Sequence, residues 1–512
     1  MYKKLMSAMV LGIEGVLIEV EIDSSNGLPQ MTIVGLPDAA TSESKDRIRS
    51  AINNSGFIYP LKRITVNLAP AHIKKEHAFL DLAIALGTLS VSNQLSESID
   101  SDKYLIVGEL ALSGKIMGLK GILPIAMMAR NRGLKLIAPA ENINEISIID
   151  GLEYYAFESL MRAAEYMKSG IYEKVNFFAS KNEKIPSEAV DVPDLKNVAG
   201  QFYARRALEI AAAGNHPIMM KGVPGSGKTM LSTCLPGILP PMNFEESLEV
   251  SKIYSISGLL RDDRLIEKRA FRSPHHTISE VAMIGGSRIP RPGEVSLAHN
   301  GVLFLDEFTE YKKSVLEALR QPLSDGCVTI SRASATYTYP ARFMLVAACN
   351  PCACGYYGDS KIKCVCGANS IKRYNLKFSG PIIDRIDIQI SMRRVEMKDM
   401  KQSLNESSKD VAERVLNARK IQLKRFEKTF AGVSAKIFAN ANMPLEFIKS
   451  CCDLSSNLKS ILADFSEKYN LSMRSYYKIL KVARTIADIR ESRDIGKEEL
   501  LEAMQYRIEF SR

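Results

Sequence analysis

Residues 217–229 have the sequence PIMMKGVPGSGKT, in which a short apolar run leads into a glycine-rich turn that ends in lysine and threonine. The turn fits the pattern G-x-x-x-x-G-K-[ST] and lies between a strand-like segment and the start of a helix, which is the context that this pattern requires. Glycine lets the backbone wrap around a phosphate group with its N–H groups pointing inward, and the helix dipole favours the anion. The sequence therefore predicts a phosphate-binding loop formed by Gly222, Val223, Pro224, Gly225, Ser226, Gly227, Lys228 and Thr229.

The second half of the predicted site lies in residues 301–307, which have the sequence GVLFLDE. The apolar residues predict a buried central strand, and parallel α/β sheets bind their ligands at the carboxyl ends of such strands. We expect Lys228 to reach the outer phosphates of ATP, and Thr229 and Asp306 to hold Mg²⁺. Glu307 would polarise the attacking water as general base. An acidic pair after a strand can also be a solvated turn, but its position downstream of a phosphate loop favours catalysis.

A third apolar run, residues 343–348, ends at Cys349 and Asn350. A side-chain amide at a strand end beside the acidic pair can orient the attacking water, the role known as sensor 1. Asn350 could instead only begin a turn at Pro351.

The order of these patterns along the 512 residues indicates an α/β protein of three parts. Residues 1–170 mix strand-like and helical segments, and residues 171–196 have the polar, proline-containing composition of a linker. In residues 197–396 short apolar strands alternate with helices, which is typical of a parallel sheet. Residues 397–512 are helical and strongly charged.

The composition favours an intracellular globular protein. The formal net charge is +10, which permits nucleic-acid binding without proving it, and no apolar run reaches the ~20 residues of a membrane span. Lys3 and Lys4 before an apolar run could begin a signal peptide, but Glu14 interrupts that pattern. Nine cysteines without a secretion signal argue against a disulfide framework. We therefore expect a cytoplasmic location and no membrane association.

Several longer strings make the sequence resemble the magnesium-chelatase-like AAA+ proteins over nearly its whole length. The resemblance implies an ATPase with an AAA+ P-loop core, a parallel sheet flanked by helices, followed by a C-terminal helical lid. It also implies a homo-hexameric ring with ATP bound between subunits. The strings are NLAP (67–70), GELAL (108–112), PHHT (274–277), PGEVSLAH (292–299), RQP (320–322) and SGPIIDRID (379–387).

Two arginines acquire roles through this resemblance. Arg385 matches the family's arginine finger, which a neighbouring subunit inserts into the ATP site to stabilise transition-state charge. The alternative is a salt bridge within the subunit to Asp384 or Asp387. Arg474 lies near the start of a predicted helix over residues 471–489 and matches sensor 2, which reaches the γ-phosphate from the lid.

The N-terminal part resembles the α+β domain of Lon proteases, mainly in residues 108–114. Lon chemistry needs a serine nucleophile activated by a lysine. Here Phe79 stands where the serine is expected, and residues 122–124 contain no lysine. We therefore expect no peptidase activity and a role in binding or ring assembly.

Four of the nine cysteines form two closely spaced pairs in one segment: Cys352, Cys354, Cys364 and Cys366. In a cytoplasmic chain such pairs favour a structural tetrathiolate Zn²⁺ site, although the spacing within each pair is shorter than usual and reduced, unliganded thiols are the alternative. The segment and its flank are basic, which would suit a surface that faces nucleic acid. The basic residues are Lys361, Lys363, Lys372, Arg373 and Lys377.

Two further elements could contact DNA in a pore. Residues 328–339 alternate as a β-hairpin does and include Arg332, Tyr337 and Tyr339. The segment 252–291 is an insertion rich in basic residues, namely Arg261, Arg264, Lys268, Arg269 and Arg272. Basic and aromatic side chains can follow a phosphate backbone, although each set could also be an ordinary solvated surface.

Two functions fit these patterns. The first is a hexameric helicase or branch-migration motor that acts on single-stranded or branched DNA in natural transformation or recombination, as the resemblance suggests for some family members. The second is a protein-remodelling ATPase like the chelatase subunits or MoxR-type chaperones. The ATPase core does not distinguish them, because a fold does not determine a function. The basic elements and the Lon-like domain favour the DNA motor.

Overall fold

A computed structural model describes most of the chain. The described residues are 1–37, 39–75, 79–95, 99–172, 192–260, 264–287, 290–332, 335–377, 380–395, 406–429 and 439–507, without the side chains of 39–42 and 380. Most of the predicted linker, residues 173–191, and the predicted boundary at 396/397 lie outside them. No helix in the described ranges combines the length and the apolar character needed to cross a bilayer.

The N-terminal part is built on a seven-stranded mixed sheet with strand order β3-β4-β2-β1-β5-β8-β9. Its strands are β1 (Tyr2–Leu11), β2 (Glu14–Ser25), β3 (Gln30–Val34), β4 (Arg63–Ala69), β5 (Tyr104–Ile106), β8 (Lys135–Pro139) and β9 (Tyr154–Phe157), and β6 (Glu109–Leu110) and β7 (Ile116–Met117) form a separate pair. Its helices are Ala39–Asn54, Asp81–Val91, Ile122–Asn131, Ile143–Ile146 and Leu160–Ser169.

The core of this part contains the residues that the Lon comparison concerns. Every residue of the helix Asp81–Val91 is buried, as its almost uninterrupted apolar sequence requires. Phe79, just before that helix, is 8% exposed and belongs to the same core. Ile122, Leu123 and Pro124 are buried at the start of the next helix. A buried phenylalanine at the expected serine position offers no nucleophile.

The central part contains a five-stranded parallel sheet. Its strands, in spatial order, are β11 (Phe271–Arg272), β14 (Val302–Leu305), β17 (Met344–Cys349), β10 (Ile218–Gly222) and β18 (Ile388–Met392). The three apolar runs that the sequence analysis identified are β10, β14 and β17, and β17 lies between the other two. Their carboxyl ends therefore bring the phosphate loop, the acidic pair and Asn350 to one edge, as predicted.

The remaining elements of the central part surround this sheet. Its helices are Phe202–Gly214, Lys228–Thr233, Phe244–Ser257, Glu280–Ile284, Glu294–Leu297, Lys313–Ala318, Arg320–Asp325, Ala368–Asn375 and Gly380–Ile383. Two antiparallel pairs complete it: β12 (Gly285–Gly286) with β13 (Arg291–Pro292), and β15 (Cys327–Ser331) with β16 (Thr336–Pro340), which is the predicted hairpin.

The C-terminal helices share a hydrophobic core with one face of the central sheet. Ile479, Ala483 and Ile486 of the helix Met473–Ile489 are buried in the same cluster as Ile218 and Met220 of β10. The helical periodicity predicted this apolar face. The described C-terminal helices are Ser408–Thr429, Leu445–Cys451, Ser456–Lys468, Met473–Ile489 and Lys497–Gln505.

The N-terminal part contacts the central part through the helix Phe244–Ser257. Leu248 of this helix is buried in the N-terminal core. Lys252 Nζ lies 3.3 Å from Oε1 of Glu14, the first residue of β2. Gly121, at the start of a helix of the N-terminal part, lies against Ile256. The helix Phe244–Ser257 therefore joins the two cores.

Candidate functional site

The phosphate loop has the backbone that its glycines permit. Gly225 and Gly227 have φ values of +75° and +88°, in the left-handed region where residues with a Cβ are strained. Gly222 has a different role, because a Cβ there would lie 2.8 Å from the carbonyl oxygen of Met392. The helix Lys228–Thr233 begins directly after Gly227. The loop therefore opens onto a helix N-terminus, as predicted.

Lys228 folds back over the loop. Its Nζ donates to the carbonyl oxygens of Gly222 at 2.7 Å and Val223 at 3.1 Å, and to Asn350 Oδ1 at 3.3 Å. Burial lowers the pKa of this ammonium group. Among the described residues, no carboxylate lies within ion-pair distance of it. A bound phosphate would supply the missing negative charge.

Thr229 and Asp306 meet across the site. Thr229 Oγ1 donates to Asp306 Oδ2 at 2.8 Å, and Asp306 Oδ1 accepts from the Glu307 N–H at 2.9 Å. The hydroxyl and the carboxylate are hard oxygen ligands of the kind that Mg²⁺ prefers. These two residues would hold the ion.

Glu307 has an unusual backbone and a histidine partner. Its φ is +49°, a left-handed conformation that is uncommon outside glycine and often marks a functional position. Its side chain is 58% exposed, and Oε2 lies 3.3 Å from His276 Nδ1. The ring of His276 packs against that of His275 at an angle of 35°, with centroids 4.1 Å apart. The string PHHT (274–277) contains this histidine pair, but its sequence pattern does not indicate a role for either ring.

Asn350 is tied to both halves of the site. Its side chain accepts from Lys228, and its carbonyl oxygen accepts from the Tyr374 hydroxyl at 3.2 Å. The same hydroxyl lies 2.7 Å from Thr309 Oγ1, two residues beyond Glu307. Tyr374 thus connects the sensor 1 position to the acidic loop. Nothing in the sequence pattern of the helix Ala368–Asn375 indicated this connection.

The site has unfilled capacity that fits ATP and Mg²⁺. In the described part of the chain, Ser226 Oγ is buried without a hydrogen-bond partner. Gln201 Nε2 donates to the Ser226 carbonyl at 3.1 Å and to that of Arg393 at 2.6 Å, which fixes the loop against the end of β18. These features fit a bound phosphate group: the buried hydroxyl of Ser226 lacks a partner, the ammonium group of Lys228 lacks a carboxylate, and the turns at Gly225 and Gly227 leave open space.

Arg385 and Arg474 lie near each other. Arg385 Nε donates to Ser324 Oγ at 2.8 Å, and its Nη1 donates to the Pro381 carbonyl at 2.7 Å. Burial lowers the pKa of Arg385, and repulsion from Arg474 and Arg320 lowers it further. Within the described ranges, neither Arg385 nor Arg474 forms a hydrogen bond or ion pair with the phosphate loop or the acidic pair.

The carboxylates beside Arg385 do not neutralise it. Asp387 is buried, and it lies 2.7 Å from His216 Nδ1 and 2.5 Å from Lys478 Nζ. Of the described acidic residues, none lies within 4.0 Å of the Arg385 guanidinium. The salt bridge to Asp384 or Asp387 that the sequence left open is therefore not formed. Arg385 is half-buried with a full charge, which suits a residue that acts on a neighbouring subunit.

The four clustered cysteines converge as predicted. Their Sγ atoms all lie within 4.8 Å of one another. Cys352 Sγ is 3.3 Å from Cys354 Sγ and 3.7 Å from Cys364 Sγ. Backbone N–H groups of Tyr356 and Val365 lower the pKa of the Cys354 thiol to about 6. The donor set therefore fits a thiophilic metal ion.

Four of the residues predicted to face DNA are instead engaged inside the subunit. Arg269 donates to Glu246 and to three backbone carbonyls, and Arg272 forms a two-point ion pair with Glu294 at 2.7 Å. Tyr337 and Tyr339 are buried, because their faces of the hairpin point into the core. The prediction was wrong for these four residues. Arg261 lies outside the described residues.

Three family models match successive parts of the chain. The model described as subunit ChlI of Mg-chelatase matches residues 20–142, magnesium chelatase, subunit ChlI matches residues 194–400, and its C-terminal model matches residues 405–507.

Individual relatives extend the match to nearly the full length. The chain is 39% identical over 501 residues to competence protein ComM of Haemophilus influenzae, covering 97% of this chain and 96% of that protein. It is 40% identical over 502 residues to YifB of Escherichia coli, covering 97% and 95%. The magnesium-chelatase 67 kDa subunit of Chlorobaculum parvum is 26% identical over 157 residues, 30% of this chain and 23% of that protein. The chain therefore belongs to the magnesium-chelatase-like AAA+ family of ComM and YifB, and it is an ATPase.

Proposed function

We propose that this ATPase is a ring-forming motor that acts on single-stranded or branched DNA, with the homo-hexamer as its working form in the cytoplasm. The observation that carries the proposal is a row of exposed basic side chains next to the nucleotide site. Lys361 and Lys363 lie in the cysteine segment, and Lys372 and Arg373 lie on the helix that follows it. Among the described residues, none of the four has an acidic ion-pair partner. Unpaired surface cations suit a phosphate backbone.

The position of this surface links DNA to ATP. The cysteine segment begins directly after Asn350, and the following helix carries Tyr374, which contacts Asn350 and Thr309. A strand held on these cations would therefore act on the parts that position the attacking water. Arg332 at the hairpin and Arg264 and Lys268 in the insertion are also exposed. These three residues are the remaining candidates from the predicted pore elements.

The hydrolysis step uses residues that the structure brings together. A water oxygen attacks the γ-phosphorus, the bond to the β,γ-bridging oxygen breaks, and Glu307 takes the proton of the water. Lys228 and the loop N–H groups bind the phosphates, and Asn350 orients the water. Thr229 and Asp306 would hold Mg²⁺, and the bound ion would supply neutralisation of the charge on the outer phosphates. Arg385 of a neighbouring subunit would complete the site.

The similarity to a named relative gives a separate reason to propose DNA as the partner of this ATPase. The name of the Haemophilus influenzae relative connects that protein with competence, the uptake of DNA by cells. A role in natural transformation or recombination follows for this chain as a proposal.

One observation favours the alternative, a protein-remodelling ATPase. The cysteine segment and the helix after it also expose apolar side chains, with Val365 84% and Leu376 74% exposed. Exposed apolar side chains of this size often mark protein contacts. In the ring proposed here these residues would meet the adjacent subunit; in the alternative they would meet a substrate protein.

Steady-state ATP hydrolysis with and without DNA tests the proposal. We expect single-stranded and forked DNA to stimulate turnover several-fold at low salt and less at high salt, because phosphate contacts release counterions. The variant Lys372→Gln/Arg373→Gln should reduce stimulation while basal turnover stays unchanged. Lys420→Gln/Lys424→Gln, on the distant helix Ser408–Thr429, is the matched charge control.

Turnover that ignores DNA at both salt concentrations would overturn the DNA proposal and favour the remodelling alternative. Stimulation that survives equally in both double variants would retain DNA as the partner but exclude this surface.

A further inference from the structure

We propose that Cys352, Cys354, Cys364 and Cys366 bind one structural Zn²⁺ ion, and that this ion holds the edge of the nucleotide site in its working position. The cysteine segment also carries Lys361 and Lys363 of the proposed DNA surface, but zinc binding is measured without DNA and does not depend on DNA binding. It is carried by the geometry of the four sulfur atoms and by the contacts at both ends of the segment that they close.

The sulfur atoms are arranged for a single metal ion. A tetrahedral site with Zn–S bonds of about 2.3 Å places its sulfur atoms about 3.8 Å apart. The closest pairs here are 3.3 Å (Cys352–Cys354), 3.5 Å (Cys354–Cys364) and 3.7 Å (Cys352–Cys364). All four atoms lie within 4.8 Å of one another. This spread is too wide for disulfides and too narrow for a cluster of several iron ions, which spaces its thiolates farther apart.

The segment also has no regular secondary structure and no apolar core of its own. Residues 353–367 contain no helix or strand. Their larger apolar side chains face solvent, with Tyr357 55%, Ile362 40% and Val365 84% exposed. A segment without a core of its own needs a cross-link, and a structural metal ion supplies one without disulfides. Four thiolates around Zn²⁺ leave a net negative charge, which the adjacent Lys361 and Lys363 would balance.

Both ends of the closed segment lie in the nucleotide site. Asn350, which accepts from Lys228, is two residues before Cys352. Tyr374, which donates to the Asn350 carbonyl, is on the helix that begins two residues after Cys366. Gly355, between the first two cysteines and the third, packs on the phosphate loop so closely that a Cβ there would lie 2.8 Å from Pro224 Cγ. Zinc would therefore fix the phosphate loop, Asn350 and Tyr374 relative to one another.

A second anchor fixes the far side of the segment. Asp359 accepts from the backbone N–H of Lys361 at 2.7 Å and forms an ion pair with Arg394 Nη2 at 2.8 Å. Arg394 follows β18, the strand beside β10. Because Asp359 ties the middle of the segment to the sheet, the part after it, which carries Cys364 and Cys366, is the part that a metal ion would hold in place.

Metal content of the full-length protein is the first test. Protein purified without added zinc and passed through a desalting column should retain about one zinc ion per chain, measured by elemental mass spectrometry. Cys364→Ser/Cys366→Ser should lose that zinc, and Cys327→Ser, a cysteine outside the cluster, should keep it. Cobalt added to chelator-stripped protein should give the intense thiolate absorption and visible bands of a tetrahedral sulfur site. Wild-type protein without zinc, or with iron in its place, would overturn the site.

ATP turnover tests the link to the nucleotide site. We expect kcat of Cys364→Ser/Cys366→Ser to fall about tenfold or more while Cys327→Ser matches the wild type. If the double variant does not fold, as judged by circular dichroism, reversible zinc removal from the wild-type protein replaces it, and restored zinc should restore turnover. A folded, zinc-free protein with unchanged kcat would show that the ion does not support the site.

Discussion

Glu307 is placed mainly by its backbone. Its left-handed φ of +49° follows β14 directly, and its N–H donates to Asp306. The main chain therefore determines where the carboxylate begins, while the side chain remains 58% exposed and contacts His276. A general base needs this combination of a fixed origin and a side chain free to reach water. The contact with His276 draws the carboxylate toward the loop after β11.

Replacing Glu307 separates binding from turnover. In Glu307→Gln we expect ATP affinity to stay close to the wild type, because Lys228, Thr229 and the loop N–H groups are unchanged. Turnover should fall by about 10²–10⁴, the usual contribution of a general base. Binding of a fluorescent ATP analogue and steady-state phosphate release measure the two quantities.

Glu310 provides the matched control for this substitution. It lies three residues away, and its carboxylate pairs with Lys377 at 3.5 Å on the surface. Exposed pairs of this kind contribute little, so Glu310→Gln should keep turnover within about twofold. Wild-type turnover in Glu307→Gln would show that another group activates the water.

At the level of elements, one buried polar network joins the central sheet to the C-terminal helices. Asp387, just before β18, contacts His216 and Lys478, and His216 Nε2 lies 2.8 Å from Thr485 Oγ1. Lys478 and Thr485 are both on the helix Met473–Ile489, whose second residue is Arg474. The network therefore fixes that helix to the strand that follows Arg385.

This network predicts how stability depends on pH. Burial lowers the pKa of His216, with Lys481 and Lys478 adding to the shift and Asp387 opposing it; burial also lowers the pKa of His299. The unfolded chain therefore binds more protons on these histidines than the folded chain does. Their stability contribution is complete above the unfolded pKa of about 6.5 and decreases as the pH falls through that value. We expect a lower melting temperature at pH 5.5 than at pH 7.5.

Thermal unfolding of variants assigns this pH dependence. His216→Gln and His299→Gln should each reduce the change in melting temperature between pH 7.5 and 5.5, although both start less stable. The exposed His72 is the control, and His72→Gln should leave the change as it is in the wild type. Equal pH dependence in all four proteins would show that other groups cause it.

The sequence predicts elements and motif residues better than it predicts long-range contacts. The strands β10, β14 and β17 are continuous apolar runs that alternate with helices, so their burial and their membership of a parallel sheet could be predicted from the pattern. Arg269 and Arg272 illustrate the limit. Their charge predicts a surface role, but their partners Glu246 and Glu294 lie about 22–23 residues away in the sequence, and only the fold brings each pair together. Charge counts do not reveal such pairing.

The same limit explains the functional residues that the sequence analysis missed. Gln201, His276 and Tyr374 act through contacts with residues 24 to 192 positions distant in the chain. None belongs to a local motif with a stated chemistry. Their roles depend on tertiary contacts, whereas the function of the phosphate loop can be predicted from eight consecutive residues.

At the level of the whole molecule, we propose that a neighbouring chain completes the site. It has groups for phosphate, Mg²⁺ and water, but no described arginine contacts the phosphate loop or the acidic pair from the same subunit. Arg385 lies instead beside Arg474, and among the described residues no carboxylate forms an ion pair with it, although Asp384 and Asp325 are close enough to offset part of the repulsion. The positive charge that the two arginines place together suits an anion that approaches from a neighbouring chain. A head-to-tail ring would bring the γ-phosphate of one subunit to the arginines of the next.

Mixing two inactive variants tests this arrangement. Lys228→Ala lacks a working phosphate loop but keeps Arg385, and Arg385→Ala has the opposite defect. Each should be inactive alone. If Arg385 acts on a neighbour, random mixing at equal amounts makes about one quarter of the interfaces complete, because one of four neighbour pairings joins an intact loop to an intact arginine. ATP turnover of the mixture should then rise toward about one quarter of the wild-type value.

The double variant Lys228→Ala/Arg385→Ala is the control for this rise. Mixed with Arg385→Ala, it brings no arginine to the intact loops, so turnover should stay at the background level. Exchange of fluorescently labelled subunits must accompany the measurement, because complementation needs mixed rings. Full exchange without any gain in turnover would place Arg385 outside the neighbouring site, and its hydrogen bonds to Ser324 and to the Pro381 carbonyl would then be its role. A gain in the first mixture alone requires a ring in which each ATP is hydrolysed between two chains.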